Sequence, residues 1–421
     1  MKVIIVSGAQ WGSEGKGKVV DFLASRMNSG LAVRTQGGPN ADHVVMPKTD
    51  PWILYYLPSG CFNPKLTLVV GNGVVIDPKL LTQEIGLLSR AGIKLGPSRL
   101  FVSELAHVTL PRHRMLDRLL YERGIIGSTG TGVGPANIDR ILRIGVRMEE
   151  FVKDASDPKK DLWAHRKSVL LRIYGNRVHD TRLLRRAYAR NLRPFVTDIS
   201  AITAKACQNG DPIILECSHG VLQDIDLGVY PFVSTSSCVA AGACSGAGIG
   251  PTRIDHVLGV LQAYTSRGGP GPFPTEAVAD DGGFQISAVD RINSIRSGWL
   301  DLVAVRYGAR VSGFDSIAVT KLDELSHRQK LKICIAYKCN GRKLEEFPTS
   351  PTVLSRCHPV YVEFSGWKCH VSRVKSFSKL PQEARAFLKF VEETVGVPIS
   401  LISVGPRRDQ TILVDPDVVP T

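Results

Sequence analysis

The sequence has few of the features that mark secreted, membrane-spanning or disulfide-stabilised proteins. The apolar run that follows Met1 ends at Gly8, which is too short for the hydrophobic region of a secretory signal. No uninterrupted apolar run is long enough to cross a bilayer, so we expect no membrane span. The nine cysteines are scattered singly without a CxxC pair, which argues against a disulfide framework or a zinc ribbon. These absences predict a protein of the reducing cytoplasm with free thiols.

The charge is strongly one-sided. Lys and Arg number 53 and Asp and Glu 39, which gives a net charge of +14 over 421 residues. Such a surplus favours anionic partners, which include nucleic acid, membrane surfaces and phosphorylated small molecules. Much of it lies between residues 150 and 200, where basic residues alternate with Leu and Ala at roughly helical spacing. Aromatic residues are not interleaved there as single-strand binders require, so we expect solvated helices and no nucleic-acid partner.

Strand-like apolar runs lead repeatedly into glycine-rich loops. The runs Val3 to Val6, Leu68 to Val70 and Ile213 to Leu215 each lead into a stretch rich in Gly, Ser or Asn. This pattern predicts an α/β fold with a mostly parallel central sheet and ligands at the carboxyl ends of its strands. The strand at Leu68 to Val70 is expected to end in a loop at Gly71 to Gly73, before the apolar residues Val74 to Ile76. A helix is expected from Lys18 to Ser25.

The most informative segment is the phosphate loop from Gly8 to Lys18, GAQWGSEGKGK. It follows a strand and precedes a helix, so its backbone N–H groups and the helix N-terminus favour an anion. Lys16 and Lys18 add positive charge for nucleotide phosphates. Because Lys16 is followed by Gly17 and not by Ser or Thr, the loop is not a standard Walker motif.

This loop resembles the N-terminal signature of the adenylosuccinate synthetases, which couple aspartate to the 6-position of a purine nucleotide with GTP. Eight further stretches match the family in order: Gln36 to His43, Gly71 to Asp77, Gly127 to Pro135, Glu216 to Pro251, Tyr264 to Glu276, Gly298 to Asp301, Thr320 to Asp323 and Ser403 to Pro406. The resemblance implies one unit over 1–421, a C–N bond-forming ligase and a homodimer. Within it we expect a nucleotide-binding core at 1–98 and 200–275, a basic helical subdomain at 99–199, and an amino-donor and guanine-reading α+β part at 276–421.

The resemblance also implies roles for single residues. His43 would act as general acid on the 6-oxygen or the phosphoryl group, Lys16 would neutralise that group, and Mg²⁺ would bridge the donor phosphates. The donor phosphates would contact Gly12, Glu14, Gly15, Lys16, Gly17 and Lys18. The purine nucleotide substrate would contact Ser13, Asn40, Ser128, Thr129, Arg143 (from the second subunit), His219 and Ser234. The donor base would contact Lys321, Asp323, Ser403 and Gly405.

Several positions depart from the family pattern, and Ser13 matters most. The family has Asp there, which removes the N1 proton and binds Mg²⁺, whereas a neutral hydroxyl is a poor base. Three interpretations remain: a substrate change to dGMP as in a phage branch that makes 2-aminoadenine DNA, an inactive protein, or an ordinary synthetase using IMP with a rerouted proton. We expect the first, with GTP or ATP as donor, in the cytoplasm, which for a phage protein is that of the infected host cell.

Two further pockets carry departures. Asp42 adds a carboxylate near the phosphate loop, so Ser13 and Asp42 are the candidate Mg²⁺ ligands. His219 stands where the family has a Gln that reads the 6-oxygen. For the amino donor, Thr131 replaces a family Arg, and Arg291 and Arg296 are the candidates to bind the aspartate carboxylates. An inactive nucleotide- or nucleic-acid-binding protein is the alternative of another class, and the retained Lys16 and His43 argue against it.

Overall fold

The computed structural model describes residues 2–121, 126–153, 166, 168–173, 175, 182–277 and 295–421. The strands found there are β1 (Val3–Gly8), β2 (Leu31–Gly37), β3 (His43–Val45), β4 (Trp52–Leu54), β5 (Thr67–Ile76), β6 (Leu100–Ser103), β7 (His107–Val108), β8 (Val196–Thr197), β9 (Ile213–Glu216), β10 (His256–Gln262), β11 (Thr265–Gly268), β12 (Ile295–Gly298), β13 (Leu300–Asp301), β14 (Ser316–Thr320), β15 (Lys330–Cys339), β16 (Arg342–Leu344), β17 (His358–Ser365), β18 (Ile399–Ser403) and β19 (Thr411–Leu413). The helices are α1 (Lys16–Ala24), α2 (Pro78–Arg90), α3 (Pro111–Tyr121), α4 (Val133–Ile141), α5 (Met148–Val152), α6 (Arg182–Leu192), α7 (Ile199–Asn209), α8 (Ala240–Ala247), α9 (Leu302–Ser312), α10 (Pro351–Leu354) and α11 (Gln382–Val395).

One large sheet organises the molecule. Its strand order is β19-β18-β14-β10-β1-β9-β2-β5-β6-β8, and β7 adds to β5. Every neighbouring pair in it is parallel except β18 and β19. A smaller sheet of β13, β15, β16 and β17 packs with α9 and α11 in the C-terminal part. The predicted α/β fold with a mostly parallel sheet and a small α+β C-terminal part is therefore confirmed.

The strands of the large sheet are apolar because both of its faces are covered. All six residues of β1 are buried, with Ile4 and Val6 in one core cluster and Val3 and Ile5 in another. Parallel strands covered by helices on both faces read as continuous β-branched runs, which is why this strand was visible in the sequence. The position of β1 in the middle of the sheet places the loop that follows it at the centre of one sheet edge.

Strand β5 differs from its prediction. Gly71 to Gly73 does not end the strand, because β5 runs unbroken from Thr67 to Ile76. The glycines serve a close approach instead: a Cβ on Gly71 would lie 2.3 Å from the carbonyl oxygen of Gly246 in α8. Helix α1 also begins earlier than expected, at Lys16. At Gly71 the glycine therefore permits close packing and does not mark a turn.

In the described part of the chain, no helix is long and apolar enough to cross a membrane. All nine cysteines are free, and seven of them are buried.

Candidate functional site

Several strand ends meet at one edge of the large sheet. The parallel strands β9, β1, β10 and β14 are neighbours, and they end at Glu216, Gly8, Gln262 and Thr320. The chain leaves β1 toward β2 on one side, whereas β9 leads to β10 on the other side of β1. Such a switch point leaves a crevice beyond the carboxyl ends of the strands, where α/β proteins bind ligands.

The phosphate loop turns sharply between β1 and α1. Gly12, Ser13 and Gly15 all have positive φ, at 88°, 59° and 85°. Glu14 is fully buried between them, and its Oε1 accepts the backbone N–H of Gln10 at 3.1 Å and of Gly12 at 2.9 Å. Its Oε2 accepts a hydrogen bond from Lys16 Nζ at 2.6 Å. The loop is therefore held open by one of its own carboxylates.

Lys18 does not extend into the phosphate loop. Its Nζ donates to Ser403 Oγ, to the carbonyl of Gly405 and, at 3.0 Å, to the carbonyl of Gln410. Burial lowers the pKa of Lys18 to about 7, against the attraction of Asp323. Lys18 thus ties α1 to the loop after β18.

His43 begins β3 and lies in a buried ionic cluster. Its Nδ1 contacts the carboxylate of Glu216 at the end of β9 and the guanidinium of Arg34 in β2. Glu216 also accepts the backbone N–H of Ser59 at 2.7 Å and Ser59 Oγ at 2.6 Å. Burial and then the charge of Arg34 lower the pKa of His43 to about 4. Glu216 also loses water on burial, yet His43 and Arg34 outweigh that cost and lower its pKa to about 2.

His219 faces Asn40 across the crevice. Its backbone has φ of 60°, and its Nε2 lies 3.4 Å from Asn40 Nδ2. Burial and the charges of Lys16 and Arg34 lower the pKa of His219 to about 3, so the imidazole is neutral. Among the described residues, His219 Nδ1 and Asn40 Oδ1 are buried without a hydrogen-bond partner. Buried polar atoms without hydrogen-bond partners are uncommon, and a bound ligand can provide the missing partners.

The loop before α4 is a second anion-binding candidate. Asp117 in α3 accepts hydrogen bonds from Ser128 Oγ and, at 2.7 Å, from the backbone N–H of Gly132, which precedes α4. Thr129 and Thr131 share a hydroxyl hydrogen bond of 2.8 Å. The hydroxyls of Ser128 and Thr129 thus lie on exposed residues before a helix N-terminus, the arrangement that suits a phosphate.

Arg143 and Ser234 lie apart from that loop in the chain. Arg143 follows α4 with φ of 61° and is exposed. Ser234 Oγ accepts the N–H of Ser236 at 3.1 Å, and the neighbouring Thr235 Oγ1 accepts from Asn137 in α4 at 2.8 Å. The Ser234 segment is therefore tied to α4.

The candidate amino-donor residues are only partly brought together. Arg296 in β12 is already engaged, pairing with Glu276 at 2.8 Å and donating to the carbonyls of Gly269 and Gly271. The loop that carries Thr131 touches the same segment, since a Cβ on Gly127 would lie 2.9 Å from Pro270. Arg291 lies outside the described residues.

The donor-base candidates gather on the other side of β1. Lys321 has φ of 57° directly after β14, and its Nζ lies 5.4 Å from the centre of the Tyr264 ring. Burial raises the pKa of Asp323, partly offset by Lys18 and Lys321. Ser403 Oγ and the Gly405 carbonyl accept hydrogen bonds from Lys18, and the charge of the same lysine attracts Asp323.

The candidate metal ligands Ser13 and Asp42 are both exposed. Over the described ranges, no three His, Cys, Asp or Glu side chains converge as a metal site. One hydroxyl and one carboxylate are hard oxygen donors, which suits Mg²⁺ when phosphate oxygens and water supply its remaining ligands.

The partners that hold the candidate residues were not among the residues predicted from the sequence. Glu216, Arg34 and Ser59 surround His43, and Asp117 holds the 128–132 loop. Glu216 and Arg34 had a visible signal, because each is a charged residue within or at the end of an otherwise apolar strand. Asp117 had no such signal, because it is one of many polar residues in its helix and nothing in the sequence distinguishes it from the others.

The chain matches known proteins over its whole length. The family model described as adenylosuccinate synthetase matches residues 5–412. The adenylosuccinate synthetases of Clostridium botulinum and Caldanaerobacter subterraneus are 41% and 43% identical over 98% of this chain and 99% of their own. The solved structure of fully ligated adenylosuccinate synthetase from Plasmodium falciparum has a TM-score of 0.89 at 30% identity, covering 99% of this chain and 100% of that one. Cyanophage S-2L succinoaminodeoxyadenylate synthetase, bound to dGMP and dATP, has a TM-score of 0.64 at 18% identity, covering 99% and 96%.

These similarities correct the prediction that the chain uses dGMP. The full-length relatives at 41–43% identity are adenylosuccinate synthetases, whereas the phage enzyme at 18% identity shares the fold alone. The dGMP interpretation depended on Ser13, an exposed side chain with no hydrogen bond to another described residue, which is too little to set the substrate. The phage origin, the host-cell setting, the 2-aminoadenine product and ATP as donor depended on it and have no support.

Proposed function

Because the chain belongs to the adenylosuccinate synthetase family and is thus a C–N bond-forming ligase, we propose that it joins L-aspartate to C6 of IMP with hydrolysis of GTP. The products would be adenylosuccinate, GDP and phosphate. The observation that carries this proposal is the full-length identity of 41–43% with adenylosuccinate synthetases. The proposal thus adopts the interpretation of an ordinary synthetase that the sequence left open.

The donor would bind on the β10 and β14 side of β1. The proposed contacts to its phosphates are the amides of Gly12, Gly15 and Gly17 together with Lys16. Asp323 would accept the N1–H and 2-amino protons of guanine, a pairing that adenine cannot offer. The link from Lys18 to Ser403 and Gly405 supports this side as the base site, because it fixes the 403–410 loop against α1. Lys321 would cover the base.

IMP would bind on the β9 and β2 side. Ser128, Thr129 and Ser234 would hold its 5′-phosphate with Arg143 of a second subunit, and Asn40 and His219 would contact the nucleotide. The unpartnered polar atoms of Asn40 and His219 support a polar ligand there. His43 would contact the 6-oxygen or the transferred phosphoryl group, with Glu216 fixing its ring. Thr131, Arg296 and Arg291 remain the candidates for aspartate.

Mg²⁺ would be held by Ser13, Asp42 and the donor phosphates, and it would neutralise charge on the transferred phosphoryl group. The chain's own residues would orient the donor and the acceptor around it. Lys16 would lie against the terminal phosphates, and His43 would hold the acceptor oxygen in line with them.

A homodimer is part of the proposal. Ile138, Ile141 and Leu142 form an exposed apolar surface on and just after α4, the α4 patch, beside Arg143. Contiguous exposed apolar residues next to a predicted intersubunit arginine support a second copy of the chain as the partner.

The test is a substrate matrix with purified protein. IMP or dGMP would be offered with aspartate and either GTP or ATP, and phosphate release and nucleotide products would be measured. We expect adenylosuccinate only when IMP, aspartate, GTP and Mg²⁺ are all present. Absence of product from IMP, in a preparation whose folding is verified by circular dichroism, would refute the proposal.

A further inference from the structure

Lys16 already has an anionic partner before any nucleotide binds. Its side chain is buried, and its Nζ lies 2.6 Å from Glu14 Oε2. A buried ammonium group needs a counter-ion, since an unpaired charge in the interior is costly. Glu14 supplies that charge within the same loop that is proposed to receive the donor phosphates.

The loop is built around the Glu14 carboxylate. A Cβ on Gly8 would lie 2.6 Å from Glu14 Oε2, and a Cβ on Gly220 would lie 2.5 Å from Oε1. Two backbone N–H groups, of Gln10 and Gly12, donate to Oε1. Glycine at positions 8 and 220 therefore leaves the space that the carboxylate fills, and Glu14 has little freedom to move.

The backbone of Glu14 is held independently of its side chain. Its carbonyl accepts a hydrogen bond of 2.6 Å from Thr320 Oγ1 at the end of β14. Lys16, by contrast, is fixed at its head group by Glu14 through a flexible four-carbon chain. If the pair separates, it is Lys16 that moves and Glu14 that remains.

The start of α1 provides the competing attraction. The residue at the N-cap of α1 is Gly15, so no side chain caps the helix, and the first turn contains no acidic residue. No acidic side chain of that turn accepts hydrogen bonds from the first N–H groups of α1. These N–H groups therefore favour a bound anion. An anion bound there would lie close to Lys16, which comes directly after the cap.

We propose that Glu14 is the resident counter-ion of Lys16, and that Lys16 exchanges Glu14 for the terminal phosphates when the nucleotide donor binds. Glu14 is then a positioning residue that sets the affinity for the donor without contacting it. The inference rests on the proposed function, because it takes the donor phosphates to bind at the start of α1. It changes the expected role of Glu14 from a phosphate contact to a competitor of phosphate.

The test measures the affinity of GDP for the full-length protein by calorimetry, without metal or the other substrates. Glu14→Gln removes the competing charge and keeps the shape, so we expect GDP to bind about tenfold more tightly. Weaker binding would show that Glu14 only supports the loop and would overturn the inference. Glu84→Gln is the matched control, since Glu84 is also buried and accepts three backbone N–H groups, from Tyr55, Tyr56 and Leu57.

Steady-state kinetics separates positioning from a general effect on folding. In Glu14→Gln we expect KM for GTP to fall with kcat not increased, whereas a loosened loop would raise KM and lower kcat together. If Glu14→Gln does not fold, the wild-type protein crystallised with GDP gives the same answer. There the distance from Lys16 Nζ to Glu14 Oε2 should exceed about 4 Å, and an intact pair would overturn the inference.

The two proposals fail differently. Wild-type protein that binds GDP while Glu14→Gln binds it more weakly refutes the exchange and leaves the donor site standing. Folded protein in which neither form binds GDP refutes the donor site and the exchange together.

Discussion

At the scale of single residues, a close fit joins the first turn of α1 to His43. A Cβ on Gly17 would lie 2.9 Å from His43 Cβ and 3.0 Å from Ser59 Oγ. Gly17 has no positive φ, so its backbone would accept alanine. The glycine at this position therefore makes room for the histidine, whatever its backbone amide contributes to phosphate binding.

Gly17→Ala should consequently lower activity far more than stability. The added methyl group would displace His43 from Glu216, and we expect kcat to fall about a hundredfold, as for a misplaced catalytic group. Helix propensity would offset part of the strain in the free energy of unfolding. Gly86→Ala is the control, because a Cβ there meets only the end of Arg90 at 3.5 Å. Equal kcat in the two variants would contradict the prediction.

A second residue-scale prediction concerns pH. Burial, with the charges of Arg140 and Arg147, lowers the pKa of His107 to about 4 from the usual histidine value of about 6.5. Between these pH values His107 binds a proton in the unfolded chain but not in the folded protein. The free energy of unfolding therefore falls as the pH falls from about 6.5 to 4. His107→Gln should flatten that decline. Chemical denaturation at several pH values measures it, with the exposed His358→Gln as control, and an unchanged slope would contradict it.

The sequence singled out candidate site residues but not the residues that hold them in place. Ser13, His219, Lys321 and Arg143 were all singled out, and all four have positive φ. Such backbone conformations are unfavourable for side chains other than glycine and tend to occur at functional sites. Glu216 and Asp117 were missed because their importance depends on contacts between segments that are far apart in the chain.

At the scale of elements, α3 positions the loop that leads into α4. Asp117 accepts hydrogen bonds from both Ser128 and Gly132. Asp117→Asn leaves one acceptor oxygen for two donors, Ser128 Oγ and the N–H of Gly132, and removes the charge that strengthens both hydrogen bonds, so the loop would be held less firmly. We expect KM for IMP to rise about tenfold with a smaller change in KM for GTP.

Asp198→Asn is the matched control, because Asp198 also accepts two hydrogen bonds, both from backbone N–H groups at the start of α7. That helix is separate from the candidate site, so KM for IMP should stay at the wild-type value. Equal increases in the KM of IMP and GTP in Asp117→Asn would show a general loss of structure instead.

Elements were predictable from the sequence where the pattern was local. The runs at β1 and β9 gave the correct strands because buried parallel strands are apolar on both faces. The supposed break at Gly71 was wrong, because the same residue that ends a strand in one setting permits a close helix contact in another. Only the neighbouring α8 distinguishes the two.

At the scale of the whole molecule, the α4 patch predicts how two copies associate. Ile141 is 78% exposed, with Ile138 and Leu142 also exposed beside it. Ile141→Asp should weaken the dimer about a hundredfold, since a buried unpaired charge costs several kcal/mol. Analytical ultracentrifugation measures the dissociation constant. Leu183→Asp is the control, because Leu183 is 75% exposed but lies on α6, and equal effects of the two changes would refute this interface.

The overall fold was readable from the sequence because nine motifs and one strand pattern agreed, whereas the substrate was not. A change at one exposed position, Ser13, was given more weight than the remaining length of the chain, and similarity over that length overturned it. A fold is specified by many residues acting together, whereas a substrate preference inferred from one side chain has nothing to compensate for an error.

The central place of β1 has a consequence for how such enzymes diversify. One flank of this strand hydrogen-bonds to β9 and the other to β10, and the proposed acceptor and donor pockets lie on opposite flanks. Mutations that reshape one pocket therefore leave the hydrogen-bonding ladder of the other undisturbed. Enzymes descended from one ancestor can in this way change their acceptor nucleotide and keep the same nucleotide donor.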